Sequence, residues 1–411
     1  MGLLAKCAEF SMPNVARSYG LYPFFPAWHG CWDNEAEAGG RRHLMFGSNN
    51  YLGLAQDPRV SEAAAAAARK YGTSLTGSRL LNGTMRLHEE LEGELAEFFG
   101  MPAALVFTTG YQANVGTLNA LCGPDDVVAV DQHAHASLFD GVKLSGARMC
   151  PFGHNSPERL DSVLSSVRPR PGGHQLVVVD GVYSMHGDIC RLPELLDVAR
   201  QHGADVLVDD AHGAGVLAGG RGTRAHFPDS GPVDIVTLTF SKAFGSIGGA
   251  VLASTDVIDY LRHHASSMVY SASLTPADTA AALTSLRILQ EEPWRPDKAI
   301  ANADQLAAGL RSLGIACDQH ATPIITVPRS DDFDTAVSWR ALMNAGLYTN
   351  PVLPPAAPFR LRLSCTATHT PRHLEQAVDA FARLKDQTPG FQDPRRVPGT
   401  AEPGAMSGTV R

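Results

Sequence analysis

The sequence predicts an α/β fold built on a mostly parallel sheet, followed by a smaller α+β region. Six short runs of β-branched or apolar residues carry this prediction: ALVFTT (104–109), VVAVD (127–131), QLVVVD (175–180), DVLVDD (205–210), DIVTLTF (234–240) and GAVLAS (249–254). Helical patterns separate several of them, which implies crossover connections between parallel strands whose two faces are both covered. At 411 residues the chain is long enough for roughly two to three structural units.

The first 60 residues are rich in proline and aromatic residues and show no long periodic pattern, so we expect an N-terminal arm over 1–60. The run SEAAAAAARK, from Ser61, predicts a helix on propensity. MRLHEELEGELAEFFG then places leucines four residues apart on one face and stops at Gly100, as an amphipathic helix does. These helices open a large α/β domain that we expect over 61–285.

Two helical patterns lie between the strand candidates, SPERLDSVLSSV (156–167) and LPELLDVARQH (192–202). After about Thr275 the pattern changes to long helical stretches and then to the short strand candidates ACDQHA, PIITVP and FRLRLSC. We therefore expect a small α+β C-terminal domain over 286–386. Residues 387–411 are rich in proline, glycine and polar residues and predict a flexible tail.

Composition excludes several functional classes. With 34 Lys and Arg against 42 Asp and Glu, the net charge is −8, and no basic cluster suggests a nucleic acid or an anionic membrane as partner. The seven cysteines are scattered and form no C-x-x-C pair, which argues against a disulfide framework or a zinc ribbon. The N-terminus lacks the pattern of a secretory signal, and no stretch of 18 apolar residues occurs. We expect a cytoplasmic protein without membrane insertion.

Two neighbouring strands end in residues that suggest a cofactor. Lys242 follows a very apolar strand in TLTFSKAFGSIGGA (237–250), and the strand in VLVDDAHGAG (206–215) delivers Asp209 and His212. Ligands bind where the carboxyl ends of parallel strands meet. A pyridine cofactor that acts as an electron sink needs a lysine for its aldehyde and a carboxylate that keeps its ring nitrogen protonated. Lys242 and Asp209 can supply these two groups.

Two further segments fit the same interpretation. Gly110 in VFTTGYQANVG (106–116) lies where a strand passes into a helix, whose free amides and dipole suit a phosphate. His135 in DQHAHASLFDG (131–141) follows a strand end and could lie flat on a ring, although a loop histidine with satisfied hydrogen bonds is the ordinary alternative.

Taken in this order, these segments resemble the α-oxoamine synthase family of pyridoxal phosphate (PLP) enzymes. The resemblance spans most of residues 20 to 385 and includes SNNYLGL (48–54), YGTSLTGSRLLNGT (71–84), DGVYSMHGD (180–188) and LRLSCTATHT (361–370). It implies the fold of PLP-dependent transferases of fold type I, with a seven-stranded, mostly parallel sheet in the large domain.

The resemblance also implies roles for individual residues. Lys242 would bind the cofactor aldehyde and shuttle a proton, Asp209 and His212 would contact the ring nitrogen and the ring hydroxyl, and His135 would stack on the ring. The other implied cofactor-binding residues are Gly110, Tyr111, Gln112, Ser184, Thr239, Ser271 and Ser273. The two serines of YSASLT (270–275) would reach over from a second subunit, which implies a homodimer with shared active sites.

For the substrate, the resemblance implies that Asn50 and Arg362 hold the amino-acid carboxylate, since a guanidinium matches a planar carboxylate with two parallel hydrogen bonds. Arg360 is the nearby alternative, and Ser78 would lie near the substrate. The implied reaction is the decarboxylative condensation of glycine, alanine or serine with an acyl thioester. The thioester would be an acyl-coenzyme A or an acyl carrier protein, and the products an α-aminoketone, CO2 and free thiol. The reaction would belong to lipid, biotin or natural-product biosynthesis.

Other functions fit less well. A PLP-dependent aminotransferase would use the same lysine and aspartate and is the main alternative. A nucleotide-binding dehydrogenase could be argued from GAG (213–215), but Gly219 follows one residue too late for that motif. No metal site is predicted, because His133 with His135, or His263 with His264, offers too few ligands.

The chain also departs from the family pattern. His186 replaces an acidic residue common after the Ser-Met pair, and Cys190 with Arg191 replaces the usual Ala-Pro. YPFF (22–25) resembles the serine-palmitoyltransferase-like branch, whereas GSRLLNGT is closer to the branch of 8-amino-7-oxononanoate synthase. The sequence therefore leaves the subfamily open.

Overall fold

The structure is a computed structural model that describes residues 3–32 and 34–387. The strands, in chain order, are β1 (Gly30–Trp32), β2 (Glu35–Ala38), β3 (Arg41–Met45), β4 (Ala103–Phe107), β5 (Val127–Asp131), β6 (Arg148–Phe152), β7 (Gln175–Asp180), β8 (Asp205–Asp209), β9 (Ile235–Thr239), β10 (Gly249–Ala253), β11 (Asp318–Gln319), β12 (Ile324–Pro328), β13 (Leu347–Tyr348), β14 (Asn350–Val352) and β15 (Arg360–Ser364). The predicted tail, apart from its first residue, lies outside the described residues.

The helices, again in chain order, are α1 (Ala5–Glu9), α2 (Met12–Ser18), α3 (Pro58–Tyr71), α4 (Arg86–Phe99), α5 (Gly110–Leu121), α6 (Ala136–Ser145), α7 (Pro157–Ser166), α8 (Leu192–His202), α9 (Gly222–His226), α10 (Thr255–His264), α11 (Ser266–Val269), α12 (Pro276–Glu291), α13 (Trp294–Ser312), α14 (Asp332–Asn344) and α15 (Pro371–Gln387). Helix α3 begins before the predicted Ser61, because Asp57 caps it by accepting a hydrogen bond from the Arg59 amide. Helix α4 ends at Gly100, which adopts the left-handed conformation at φ 63°.

The central sheet has seven strands in the order β4-β10-β9-β8-β7-β5-β6. The run from β9 to β6 is parallel, and β10 is antiparallel to both of its neighbours. The prediction of a mostly parallel seven-stranded sheet is therefore confirmed. The sequence analysis missed β6, whose residues RMCPF contain a proline and face solvent in part. Proline is tolerated at the edge of a sheet, and an edge strand needs no continuous apolar run.

Both faces of the central sheet are covered, which explains why its strands are apolar at successive positions. Side chains alternate between the faces, so Val177 and Val179 of β7 join one core while Val178 joins the other. The first core is completed by α3, α4, α7, α8 and α12, and the second by α5, α6, α10 and α11. The sheet is thereby held between two helical layers.

The C-terminal part has its own core and an antiparallel sheet in the order β11-β12-β15-β14. The N-terminal segment forms a further sheet, β1-β2-β3, which β13 joins by pairing parallel to β3. The first 60 residues therefore contain strands and short helices, where the sequence suggested an arm. The domain boundaries at 60, 285 and 386 stay predictions. Among the described helices, none is both long and apolar enough to cross a membrane.

Candidate active site

The carboxyl ends of the parallel strands surround a cavity of about 300 Å³. Its lining contains eight residues that the sequence analysis named, Gly110, Tyr111, His135, Ser184, Asp209, His212, Thr239 and Lys242. Segments that are distant in sequence therefore converge at the predicted edge of the sheet.

Lys242 lies just beyond β9 and is partly buried. Burial lowers the pKa of its amine, and the nearby Asp209 and Asp180 oppose this shift only in part. Because the neutral amine is the nucleophilic form, this environment prepares Lys242 to react with an aldehyde.

Asp209 ends β8 and is 5% exposed. Its Oδ2 accepts a hydrogen bond of 2.6 Å from the Asn114 side chain, and its Oδ1 accepts one of 3.0 Å from the Ala211 amide. Asp180 pairs with it in register on β7. Burial and the charge of Asp209 raise the pKa of Asp180 well above its ordinary value. The Asp209 carboxylate thus accepts two hydrogen bonds, whereas the neighbouring Asp180 favours its own protonated form.

The sequence analysis missed Asn114 and Asp180. Asn114 lies one turn after Gly110 on α5 and also donates to the Ser137 hydroxyl, while Asp180 accepts from the His135 amide. Ser137 Oγ lies 2.7 Å from Nδ1 of His135, so this network fixes the position of the His135 ring. The signals were present, because Asp180 ends a strand and Asn114 follows Gly110 at helical spacing.

His212 and Arg362 are connected through Tyr51, which is fully buried. Arg362 Nη2 donates to the Tyr51 hydroxyl at 3.2 Å, and that hydroxyl lies 2.7 Å from His212 Nδ1. Burial lowers the pKa of His212 well below its ordinary value, which favours the neutral ring. The Tyr51 hydroxyl, which also lies 3.3 Å from Asn49 Oδ1, can then donate its single proton to His212 Nδ1. In that arrangement Nε2 of His212 carries the one proton of the neutral ring and can act as a donor.

Arg362 is 3% exposed and donates to the Ser184 carbonyl at 2.5 Å and to Asn49 Oδ1 at 3.0 Å. The sequence analysis assigned Asn50 as its partner. The oxygen of the Asn50 side chain instead accepts from the Ala55 amide at 3.2 Å, and the neighbouring Asn49 contacts the arginine. The alternative Arg360 donates to the Met185 carbonyl. Arg362 is therefore the arginine connected to the cavity residues, and Asn50 as a substrate ligand stays a prediction.

The β4–α5 turn offers a cradle for a phosphate. A Cβ on Gly110 would come within 2.8 Å of the Thr239 Cβ, so only glycine fits this close approach. Gln112 Nε2 donates to Ser271 Oγ at 3.1 Å, and its buried Oε1 has no partner among the described residues. The Thr239 hydroxyl lies 2.9 Å from that of Ser241, which also lines the cavity.

Six predicted residues lie outside the cavity lining, namely Asn50, Arg362, Gln112, Ser271, Ser273 and Ser78. Gln112 and Ser271 contact each other within one chain, and the Ser273 amide donates to the carbonyl of Gly77, the neighbour of Ser78. Contributions of these residues to an active site shared between subunits stay predictions.

The residues present fit PLP. A partly buried lysine with a lowered pKa, a buried carboxylate, a neutral histidine and a glycine cradle at a helix N-terminus are the groups that this cofactor's aldehyde, ring nitrogen, ring hydroxyl and phosphate require.

Comparison with known proteins agrees with this geometry. A family model described as aminotransferase class I and II matches residues 41–381. The serine palmitoyltransferase of Sphingobacterium spiritivorum is 39% identical over 389 residues, which cover 94% of this chain and 97% of the relative. A putative 8-amino-7-oxononanoate synthase 2 of Mycobacterium tuberculosis is 41% identical over 376 residues, 90% of this chain and 48% of the relative.

Solved structures give the same result. A serine palmitoyltransferase solved with PLP superimposes with a TM-score of 0.90 at 35% identity, over 94% of this chain and 99% of that chain. An 8-amino-7-oxononanoate synthase from Francisella tularensis has a TM-score of 0.71 at 23% identity, over 83% of this chain and 97% of that chain, and shows the fold alone.

Proposed function

Because the chain belongs to the class I and II aminotransferase family and, within it, to the α-oxoamine synthase group, it condenses an amino acid with an acyl thioester, and we propose that these substrates are serine and a long-chain acyl thioester. The reaction joins Cα of the amino acid to the acyl carbonyl carbon, expels the thiol and releases the amino-acid carboxylate as CO2. Relatives named serine palmitoyltransferase that match this chain over nearly their whole length support serine.

The site observation that carries the proposal is the partly buried Lys242 beside the buried Asp209. PLP, when bound, supplies an electron sink for the negative charge that develops on Cα of the amino acid. Asp209 keeps the ring nitrogen protonated through its carboxylate, which Asn114 and the Ala211 amide hold in place. Lys242 takes the Cα proton on Nζ and later returns a proton to the product, because its lowered pKa lets the amine act as a base.

The remaining residues position and orient the substrate. His212 donates from Nε2, since its Nδ1 accepts from Tyr51. Arg362 binds the amino-acid carboxylate with its guanidinium, and the Asn49 oxygen that it now contacts would be exchanged for a carboxylate oxygen. His135, whose ring is fixed by Ser137, would stack on the cofactor ring. Holding the carboxylate in one place selects which bond at Cα is broken.

We further propose a cytoplasmic homodimer. Tyr111 and Ile247 line the cavity yet are about half exposed, and Tyr270, next to Ser271, is 87% exposed. Exposed apolar side chains around a cavity mouth favour a protein partner, and a second copy of the chain would cover them. The six cysteines with described side chains are free thiols, which is compatible with a reducing compartment.

The experiment supplies the PLP-loaded enzyme with serine, glycine or alanine and a palmitoyl thioester, and it measures thiol release and product mass. We expect the highest kcat/KM with serine and a product that retains its hydroxymethyl group. Turnover with glycine or alanine, but not with serine, would overturn the choice of serine. Formation of a 2-oxo acid without thiol release would favour an aminotransferase. Parallel reactions with coenzyme A and carrier-protein thioesters identify the donor.

A further inference from the structure

The loops after β5, β6 and β7 bring together His133, His154 and His186, which we call the histidine cluster. One ring nitrogen of each residue lies within 4.8 Å of those of the other two. The rings of His133 and His186 stack with 4.7 Å between centroids and 4° between planes, and the His154 ring lies 4.2 Å from that of His133. Sequence spacing gave no sign of this group, and His186 is one of the departures from the family pattern.

Two carboxylates flank the histidine cluster. Nδ1 of His154 lies 3.1 Å from Asp131 Oδ1, and its Nε2 lies 3.1 Å from Asp188 Oδ2. Asp131 is fully buried and accepts a further hydrogen bond of 2.7 Å from the Tyr183 hydroxyl. Within the described part of the chain, Asp188 Oδ1 and His133 Nδ1 are buried without a hydrogen-bond partner. The histidine cluster and its flanking carboxylates therefore include two buried atoms, each with a lone pair that could bind a metal ion, that form no hydrogen bond within the described part of the chain.

We propose that the histidine cluster binds a divalent transition-metal ion of the zinc type, with its three imidazoles and Asp188 as ligands. Bonds of about 2.0–2.1 Å place the ligand atoms of a tetrahedral zinc site about 3.3 Å apart. The 3.1 Å between His154 Nε2 and Asp188 Oδ2 is close to this separation, and the ion would take the place of the proton in this hydrogen bond, which is released to solvent. The three ring nitrogens lie within 4.8 Å of one another, and the rings of His133 and His186 would rotate out of their parallel planes so that both lone pairs point at the ion.

The surroundings supply the outer contacts that such sites use. When Nε2 of His154 binds the ion, Nδ1–H donates to Asp131, which is the carboxylate–histidine–metal arrangement that fixes ring orientation. The two carboxylates balance the charge of a divalent ion. Arg360 is a positive charge that opposes the ion, because its field reaches both His133 and His186, while its guanidinium is hydrogen-bonded to the Met185 carbonyl.

A metal ion on the histidine cluster would stabilise the loops that form the cavity, although the ion itself would lie outside the cavity. His133 precedes the cavity residue His135 by two positions, and His186 follows the cavity residue Ser184 by two. An ion on the histidine cluster would therefore tie the β5 and β7 loops to each other. The proposal is independent of the substrate, because it concerns bound metal.

The test uses untagged, PLP-loaded enzyme that has been treated with a chelator, gel-filtered and titrated with zinc chloride. Bound zinc is measured by mass spectrometry after a second gel filtration, and PLP retention is monitored by absorbance. We expect one zinc per chain and a higher melting temperature of the zinc-loaded protein. His186→Phe keeps a ring to stack on His133 but removes the ligand nitrogen, and it should weaken zinc binding by about 100-fold.

The matched control is His263→Phe, which removes an exposed histidine whose Nδ1 contacts the Asp259 carbonyl, and it should bind zinc like the unsubstituted chain. Asp188→Asn is a second variant, expected to weaken binding about 10-fold, in case His186→Phe fails to fold. The proposal is wrong if the enzyme retains no zinc, or if the ligand variants titrate like the control.

Discussion

Replacing Tyr51 with phenylalanine tests whether the Arg362–Tyr51–His212 chain positions the substrate. Tyr51→Phe removes one oxygen and with it the contacts of 3.2 Å from Arg362 and 2.7 Å to His212, besides a longer one of 3.3 Å to Asn49 Oδ1. Because Tyr51 is fully buried, water cannot replace the hydroxyl, and His212 Nδ1 becomes a buried acceptor without a donor. A hydrogen bond to a charged group contributes about 1.5–3 kcal/mol and a neutral one about 0.5–1.5 kcal/mol, so the total loss is about 2–4 kcal/mol.

We expect part of this lost free energy to lower the stability of the fold and the rest to weaken binding of the amino acid. If about 1.4 kcal/mol of it affects how Arg362 is held, the KM for the amino acid rises about 10-fold. Steady-state kinetics at saturating thioester measures the change, and chemical unfolding measures the remaining loss of free energy.

Tyr183→Phe is the matched control. Tyr183 is equally buried, and its hydroxyl donates to Asp131 at 2.7 Å rather than to the substrate-binding residues. It should lose a similar amount of stability while its KM for the amino acid stays unchanged. An unchanged KM in Tyr51→Phe, or equal rises in both variants, would refute the positioning role.

Three further predictions follow from the site and its surroundings. Asp209→Ala should still bind PLP, as shown by absorbance, but should be nearly inactive, and normal turnover would refute its assignment to the ring nitrogen. Gly110→Ala places a Cβ 2.8 Å from that of Thr239, so equilibrium dialysis should show at least about 10-fold weaker PLP binding, and unchanged affinity would rule out the cradle. Burial lowers the pKa of His154, but two carboxylates outweigh it and raise the pKa to about 9, above the ordinary 6.5. The stability that this histidine contributes in the presence of a chelator should therefore be complete below pH 6.5 and lost as the pH rises through about 9, and unfolding curves of His154→Gln should lack that loss.

The sequence predicted the parts of the fold that have a strong local cause. Strands β5 and β7 were predicted to the residue, because burial on both faces requires a continuous apolar run. Strand β6 was missed because an edge strand has no such requirement. The strands of the N-terminal segment were missed because β2 (EAEA) and β3 (RRHLM) are short and carry charged residues, so that neither contains a continuous apolar run.

The candidate active site also has parts that the sequence predicted and parts that it missed. Lys242 and Asp209 follow strand ends, so the topology of a parallel sheet was enough to place them together. Asn49 and Asn50 are neighbours in a loop, where the direction of a side chain depends on contacts that sequence spacing does not encode. The histidine cluster joins three loops, and only the folded sheet brings them side by side.

The pairing of β3 with β13 has a practical consequence for how the chain is shortened. Directly after β3, the Phe46 amide donates to the Tyr348 carbonyl and the Phe46 carbonyl accepts from the Ser364 amide. The backbone that leads to Asn49 and Tyr51 is thus hydrogen-bonded to the C-terminal part of the chain. Trimming the N-terminus for crystallisation should therefore stop before Gly30, since a deeper cut removes strands β1 to β3 and with them the sheet that leads into the segment of Asn49 and Tyr51.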